Sequence, residues 1–384
     1  MWQQEFIWFL TIFHHEFRKN NAVAFETLLV LAVANLFGFY NPKQVADFLD
    51  VPHQQFYTVL KNWSVYQVKK MLLRFMVKQA AEKLKPVLSK SAATRSRAGA
   101  TLSIDNSVMD RFGRLLRCTW SWYSGRYHKV IRGQDLLGIV LTTRHIALPL
   151  HLLFCPKQGR YHTTKADLLI FMLTQLKTEF RREGIDITPL PLTMDSAYAS
   201  QALRERLHEL GFIDIIIAGK SNYVFTIDNP KWDAATWKKV WMLDEPKWGI
   251  DVPSCRVRGF SPTFGSLILF FFRKSTTRSY YLMNLGQRAL RGAEIWHIWK
   301  QHHVIECFWK MMKSIFQVRS MHLQGDGLYT ALLIKVMAYL LALRLQVQGA
   351  FSKLTITEIR RKLRREADLR DFLETHFHTP ISIT

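Results

Sequence analysis

The chain predicts an α/β fold joined to an all-α N-terminal part. Three observations carry that. Apolar residues recur at helical spacing up to about residue 82, without strand-like alternation. From Thr101 the pattern changes to short apolar strands interleaved with helices. From Gly219 to Gly286, aromatic runs broken by Pro, Gly and Asp predict a further set of strands.

The elements follow in order. Phe6–Phe17, Phe25–Phe39, Val45–Leu60 and Val65–Leu84 read as helices. Residues 83–100, rich in Ser, Ala, Lys and Arg, read as a basic linker. Thr101–Asp105, Val130–Thr143 and Ile146–Phe154 read as strands. A helix then runs from Thr163 to Arg182, with Thr163 or Thr164 as its N-cap. Pro191–Asp195 is a short strand, Gln201–Leu210 a helix stopped by Gly211, and Phe212–Ala218 a strand. Glu294–Phe316, Tyr329–Leu345 and the basic Thr355–Arg370 are helical. The expected organisation is a helical domain 1–82, the linker 83–100, a core in two parts (101–218 and 291–349) around a β-rich insertion 219–290, and a basic C-terminal helix and tail 350–384.

Of 384 residues 48% are hydrophobic and 22% charged, enough apolar material for a core and against global disorder. Lys and Arg number 53 against 30 Asp and Glu, a formal net charge of +23. A folded chain with that imbalance is expected to meet an acidic partner, most often nucleic acid. Cys118, Cys155, Cys255 and Cys307 are far apart with no CxxC pair, which argues against a zinc ribbon or a disulfide framework. The N-terminus lacks a basic start and a cleavage site, so no secretory signal is expected. Thr330–Val347 contains Lys335 and Arg344 and reads as a buried helix, so no membrane partner is expected.

Pro42–Leu60 has the pattern of a helix-turn-helix. Ala46 is the small residue at the crossing, Asp50 stands at the turn, and Val45, Leu49, Val51, Phe56 and Val59 lock the pair. The second helix, starting near Pro52, presents His53, Gln54, Gln55, Tyr57 and Thr58, residues able to contact base edges or phosphates. An ordinary helical hairpin shares the pattern; the net charge favours DNA.

The order of elements from Thr101 to Phe316 is that of the RNase H-like fold. In that frame Asp105 (SIDN) and Asp195 (LTMDS) end adjacent strands, and Glu306 comes from a later helix. A lone carboxylate at an apolar strand end is costly without a partner, which a metal ion would supply. The plain alternative is an Asp that caps the next turn. On the Glu306 helix, Trp299, His302, Glu306, Lys310 and Lys313 fall within about 40° at roughly 100° per residue. That face would hold a metal through Glu306 and DNA phosphates through the lysines; a surface ion-pair set is the alternative.

Trp299-(2)-His302-(3)-Glu306-(6)-Lys313 resembles the Y-(2)-R-(3)-E-(6)-K signature of bacterial DDE transposases of insertion-sequence group four. SIDNS and TMDSAYAS resemble that family's two Asp motifs, and the β-rich stretch before Glu306 resembles its interrupted core. Trp299 replaces Tyr and keeps a flat surface. His302 replaces Arg and keeps a donor with conditional charge. The resemblance implies cut-and-paste transposition: binding of terminal inverted repeats, strand cleavage, and joining of the 3′-OH to target DNA. It implies Asp105, Asp195 and Glu306 as catalytic residues holding two Mg²⁺ (or Mn²⁺) ions per active site. Trp299, His302, Lys310, Lys313 and Lys220 are implied as DNA contacts. It implies double-stranded DNA, both transposon ends and target, as partner, a homodimer on DNA, and a bacterial cytoplasmic location at the nucleoid. A nuclease that cuts without joining, and a non-catalytic helix-turn-helix protein, are the rival readings. In the insertion, Trp237, Trp241 and Trp248 are candidates for stacking a flipped base, against core packing. The Arg-rich C-terminal run fits DNA, a partner subunit or a solvated face.

Overall fold

The computed structural model describes residues 7, 11, 22–61, 64–88, 99–110, 116–124, 127–143, 146–156, 164–219, 223–227, 238–239, 254–261, 263–275, 278–288, 290–320, 323, 325, 327–347, 351–366 and 369–376. Lys220, Trp237, Trp241 and Trp248 lie outside them. The helices are α1 (Ala22–Phe37), α2 (Pro42–Leu49), α3 (His53–Lys61), α4 (Val65–Leu88), α5 (Lys165–Arg182), α6 (Gln201–Glu209), α7 (Gly292–Ser314), α8 (Gly327–Val347), α9 (Ile356–Glu366) and α10 (Leu369–His376). The strands are β1 (Thr101–Met109), β2 (Trp120–Ser124), β3 (Lys129–Thr142), β4 (Ala147–Phe154), β5 (Leu192–Met194), β6 (Ile215–Ala218), β7 (Val224–Ile227), β8 (Lys238–Lys239), β9 (Ser254–Ser261), β10 (Gly265–Ser275) and β11 (Arg278–Asn284). Two compact units divide the chain. One comprises Met1–Phe75, Val108–Asp135 and Phe308–Thr384, the other Met76–Ser107 and Leu136–Cys307.

In the first unit, the N-terminal helices share one body with the β2–β3 hairpin and the C-terminal helices. The α2–α3 pair turns on Asp50, whose φ of 58° is left-handed and whose N–H bonds the Ala46 carbonyl. Asp tolerates that conformation better than most residues. Asn41 caps α2 by accepting from Gln44 N, and Pro42 occupies the first turn, where its missing N–H costs nothing. Val45, Ala46, Phe56 and Leu60 are buried between the helices, whereas Leu49, Val51 and Val59 are half-buried.

α8 packs on α1. By length and composition α8 is apolar enough to cross a membrane, and 94% of its apolar window is buried within the fold. Of its two cations, Lys335 is fully buried and donates to the Tyr40 carbonyl at 2.7 Å. α9 brings Arg360 to the end of α1. There the guanidinium donates to the carbonyls of Leu36 (2.9 Å) and Ile315 (2.7 Å) and to the Tyr40 hydroxyl (2.9 Å). Arg364 reaches the Phe37 carbonyl at 2.6 Å beside Gly38, where a Cβ would land on the guanidinium. The last carbonyls of a helix have no partner within it, and cations complement its dipole there. Part of the basic C-terminal run thus serves as an internal cap.

The second unit is built on a mixed sheet. Its order is β4-β3-β1-β5-β6, continuing through β11-β10-β9-β7-β8. β1, β5 and β6 are parallel neighbours, with Leu102, Ser103 and Ile104 opposite Leu192, Thr193 and Met194. β4 pairs antiparallel with β3, and β11 with β6. β4 is buried along its whole length and β5 throughout, as strands covered on both faces must be. α5 starts with a capping box: Thr164 Oγ1 accepts from Asp167 N while Asp167 accepts from Thr164 N at 2.8 Å. Those bonds and Arg206 hold the Asp167 carboxyl down at about 2. Ile216, Phe270 and Leu282 form a core with Ile295, Ile298 and Trp299 of α7, so that helix lies on the sheet.

Several elements differ from the sequence reading. β1 continues four residues past Asp105, which is therefore mid-strand. α4 runs to Leu88, into the expected linker, because Glu82, Lys83, Leu84 and Lys85 are strong helix formers. β2 is absent from the sequence reading, since its five residues sit in an Arg-rich stretch that looks like a loop. Thr355–Arg370 reads as one helix and is two, α9 and α10.

Candidate active site

The second unit carries a row of hydroxyls across three neighbouring strands. Side chains two apart on a strand share a face. Ser103 and Asp105 therefore lie on one face of β1, and Thr193 and Asp195 on the same face of the adjacent β5. Since Ile104 lies opposite Met194, Asp105 and Asp195 occupy the next position along each strand. The hydroxyls are fully buried and bonded in series: Thr142 Oγ1 to Ser103 Oγ at 2.6 Å, Ser103 Oγ to Thr193 Oγ1 at 3.1 Å, and Thr193 Oγ1 to His302 Nδ1 at 3.0 Å.

One hydrogen per hydroxyl fixes the direction of this chain. Thr142 gives its hydrogen to the Thr101 carbonyl at 3.2 Å. Ser103 must then donate to Thr142, Thr193 to Ser103, and His302 Nδ1–H to Thr193. The His302 ring thus has its proton on Nδ1, and Nε2 faces Asp195 Oδ1 at 3.9 Å. Trp299 stacks on the ring at 4.5 Å between centroids and 16° between planes. His302, with Nε2 3.9 Å from Oδ1, lowers the Asp195 pKa, and His303 acts in the same direction, against desolvation. The carboxylate therefore stays ionised through the neutral range.

Asp195 also occupies the N-cap position of the 3₁₀ turn Ser196–Tyr198, but its side chain makes no capping bond. Turn capping therefore does not account for it. The side chain is 58% exposed, open to an incoming group. Asp105 Oδ1 accepts from Asn106 N at 2.7 Å, and Tyr198 Oη donates to Asn106 Oδ1 at 3.3 Å.

Contacts along α7 give its course. Gly99 lies under His297 and Gln301, Thr101 Oγ1 donates to Gln301 Oε1 at 2.7 Å, and His302 reaches Thr193 and then Asp195. Helix and strand rise together, and Glu306 follows His302 by one turn, about 6 Å further along. Glu306 is exposed, with Oε1 3.5 Å from His303 Nδ1. Among the described residues no three His, Cys, Asp or Glu side chains form a group able to hold a metal ion.

The other candidate contacts divide by burial. His53, Gln54, Thr58 and Lys310 are exposed, and Gln55, Tyr57 and Lys313 are half-buried. Burial raises the Tyr57 hydroxyl. Trp299 and His302, expected on a DNA-facing surface, are 5% and 3% exposed and packed into the protein. The stacking surface of Trp299 is occupied by His302, and both ring nitrogens of His302 face protein atoms.

The residues that the sequence reading missed are Thr142, Ser103, Thr193 and Gln301. The signal for two of them is a hydroxyl two places before each Asp in an apolar strand, in TLSID and in LTMD. Thr193→Val keeps the shape but leaves His302 Nδ1–H and Ser103 without their partner. It should lower stability by about 1–3 kcal/mol in urea unfolding. An unchanged midpoint would refute the role of this bond.

A family model described as the transposase DDE domain matches residues 170–341, which include Asp195 and Glu306 but not Asp105. No curated protein matches. Among solved structures, the cryo-EM structure of the piggyBac transposase synaptic complex with hairpin DNA is similar. It has 13% identity and a TM-score of 0.48 over 98% of this chain and 79% of that one.

Proposed function

We propose that this protein is a DDE transposase that binds the inverted repeats at transposon ends, cleaves the strands and joins the freed 3′-OH to target DNA. One observation carries the reading: Asp105 and Asp195 stand level on adjacent parallel strands, and Asp195 faces the helix that presents Glu306 one turn on. The family match over 170–341 supports it. The strand order β4-β3-β1-β5-β6, with α7 on the sheet, supports an RNase H-like core interrupted by β7–β11.

Asp105, Asp195 and Glu306 would hold Mg²⁺ or Mn²⁺, two ions per site. The donor set fits, since all three are hard oxygen donors and Asp195 is not spent on its turn. When bound, such ions activate the attacking oxygen and stabilise the leaving one. The residues themselves do the rest. Thr193 holds His302 beside Asp195, and the exposed Glu306 side chain would turn from His303 toward the two aspartates. Lys310 and Lys313 neutralise phosphates further along α7. His53, Gln54, Gln55, Tyr57 and Thr58 read the ends through a helix-turn-helix, with Lys220 as a further phosphate contact. Two copies act together on paired ends.

The test uses the inverted repeats that flank the reading frame, end-labelled, with supercoiled target and Mg²⁺. Cleaved ends joined to target are expected, and Glu306→Gln should leave end binding while abolishing both products. Cleavage without joining would make the protein a nuclease, and binding without cleavage would overturn the enzyme reading.

A further inference from the structure

We propose that one face of the β2–β3 hairpin is a second DNA-contact surface, a two-stranded ribbon that seats in a groove between phosphate backbones. The inference rests on the transposase reading for its substrate, but its residues lie outside the site described above.

Pairing of Ser121 with Arg132 and of Tyr123 with Val130 places these four on one face. All four are exposed or half-exposed, Tyr123 and Val130 by 63% and 64%. As an exposed cross-strand pair, Tyr123 and Val130 contribute only modestly to the ribbon and leave most of their apolar surface in water. The opposite face is anchored: Trp122 and Ser124 are buried, and a Cβ on Gly133 would overlap the Met109 carbonyl. Gln134 Nε2 donates to the Arg117 carbonyl at 2.5 Å, and Tyr127 Oη donates to Asp110 Oδ2 at 2.6 Å. The ribbon is thus held from behind and presents its front.

Charge selects the occupant. From Arg111 to Gln134 the sequence has Arg111, Arg114, Arg117, Arg126, Lys129 and Arg132 and no Asp or Glu. The nearest acid before that stretch, Asp110, is paired with Arg319. The acid after it, Asp135, is fully buried. Within the ribbon, Lys129 and Arg132 are exposed with no acid beside them in sequence, which fits a polyanion, and the major groove admits a two-stranded β-ribbon. Arg132 on the open face, and Lys129 exposed at the turn end of the other face, would meet the two flanking phosphate backbones, while Tyr123 and Val130 would meet sugars or base edges.

The full-length protein is titrated into a fluorescein-labelled random-sequence duplex by anisotropy, at salt from about 50 to 200 mM. Losing two phosphate contacts in Lys129→Gln/Arg132→Gln should flatten the slope of log K against log salt by about 1.8. Affinity should fall about tenfold or more at the low-salt end. Tyr123→Ser should weaken binding without changing that slope. Tyr123 and Arg132 lie on the open face and Lys129 is exposed at the end of the ribbon, so unfolding equilibrium constants should stay within about fivefold of wild type, about 1 kcal/mol. Equal affinities and parallel slopes in a DNA-binding protein would overturn this proposal and leave the transposase reading intact. Unchanged DNA binding with loss of a dimer in sedimentation velocity would overturn it in favour of a second copy as occupant. A wild-type protein that binds no duplex would overturn both.

Discussion

Asp195→Asn should lower single-turnover cleavage of labelled ends by at least about a thousandfold, roughly 4 kcal/mol of transition-state stabilisation, with end binding unchanged. Asparagine keeps the shape of the side chain, and its amide can turn its NH₂ toward His302 Nε2, so the packing around Thr193, His302 and Trp299 should stay intact. What it removes is negative charge, held ionised by the histidine and left unused by the following turn. A neutral amide is a poor ligand for a hard divalent cation compared with a carboxylate. Equal losses of binding and cleavage would point to a folding defect. Wild-type cleavage by the Asp195→Asn variant would remove Asp195 from the chemistry.

Arg360→Ala should destabilise the first unit by about 3–5 kcal/mol, read as a shift of the urea midpoint or a drop in Tm on the order of 10 °C. The guanidinium is 8% exposed, and its loss leaves the carbonyls of Leu36 and Ile315 without the donor that reaches each. Burial already pushes the Arg360 pKa down, a sign of how fully its charge is withdrawn from water. Arg360→Lys should recover only part of the loss, because a compact ammonium cannot span acceptors set out for a planar fork. A variant as stable as wild type would show that the end of α1 is capped by other means.

The α/β class and the helical N-terminal pattern were legible because periodicity is a local property of the chain. Thr164 and Gly211 marked a helix start and a helix stop, and both serve as expected. The level placement of Asp105 and Asp195 followed from their motifs, although β1 does not end where the apolar run suggests. Other features were out of reach for physical reasons. The hydroxyl series joins Thr142, Ser103, Thr193 and His302, whose proximity arises only from strand order. The Trp299–His302 face is amphipathic on a helical wheel, yet the wheel does not say which polar residues are covered. Spacing placed His302 toward DNA, while packing put it behind the aspartate. Arg360 and Arg364 look like a solvated basic face in sequence, since nothing nearby announces that two of the carbonyls they bond, those of Leu36 and Phe37, lie more than 300 residues earlier.

That separation bears on synthesis. The carbonyls of Leu36 and Phe37 meet their partners only after residues 360 and 364 have been translated. The body that carries the α2–α3 pair therefore closes only after residue 364 has left the ribosome. A chain aborted before residue 360 lacks this clasp, and the end of α1 keeps carbonyls without those donors.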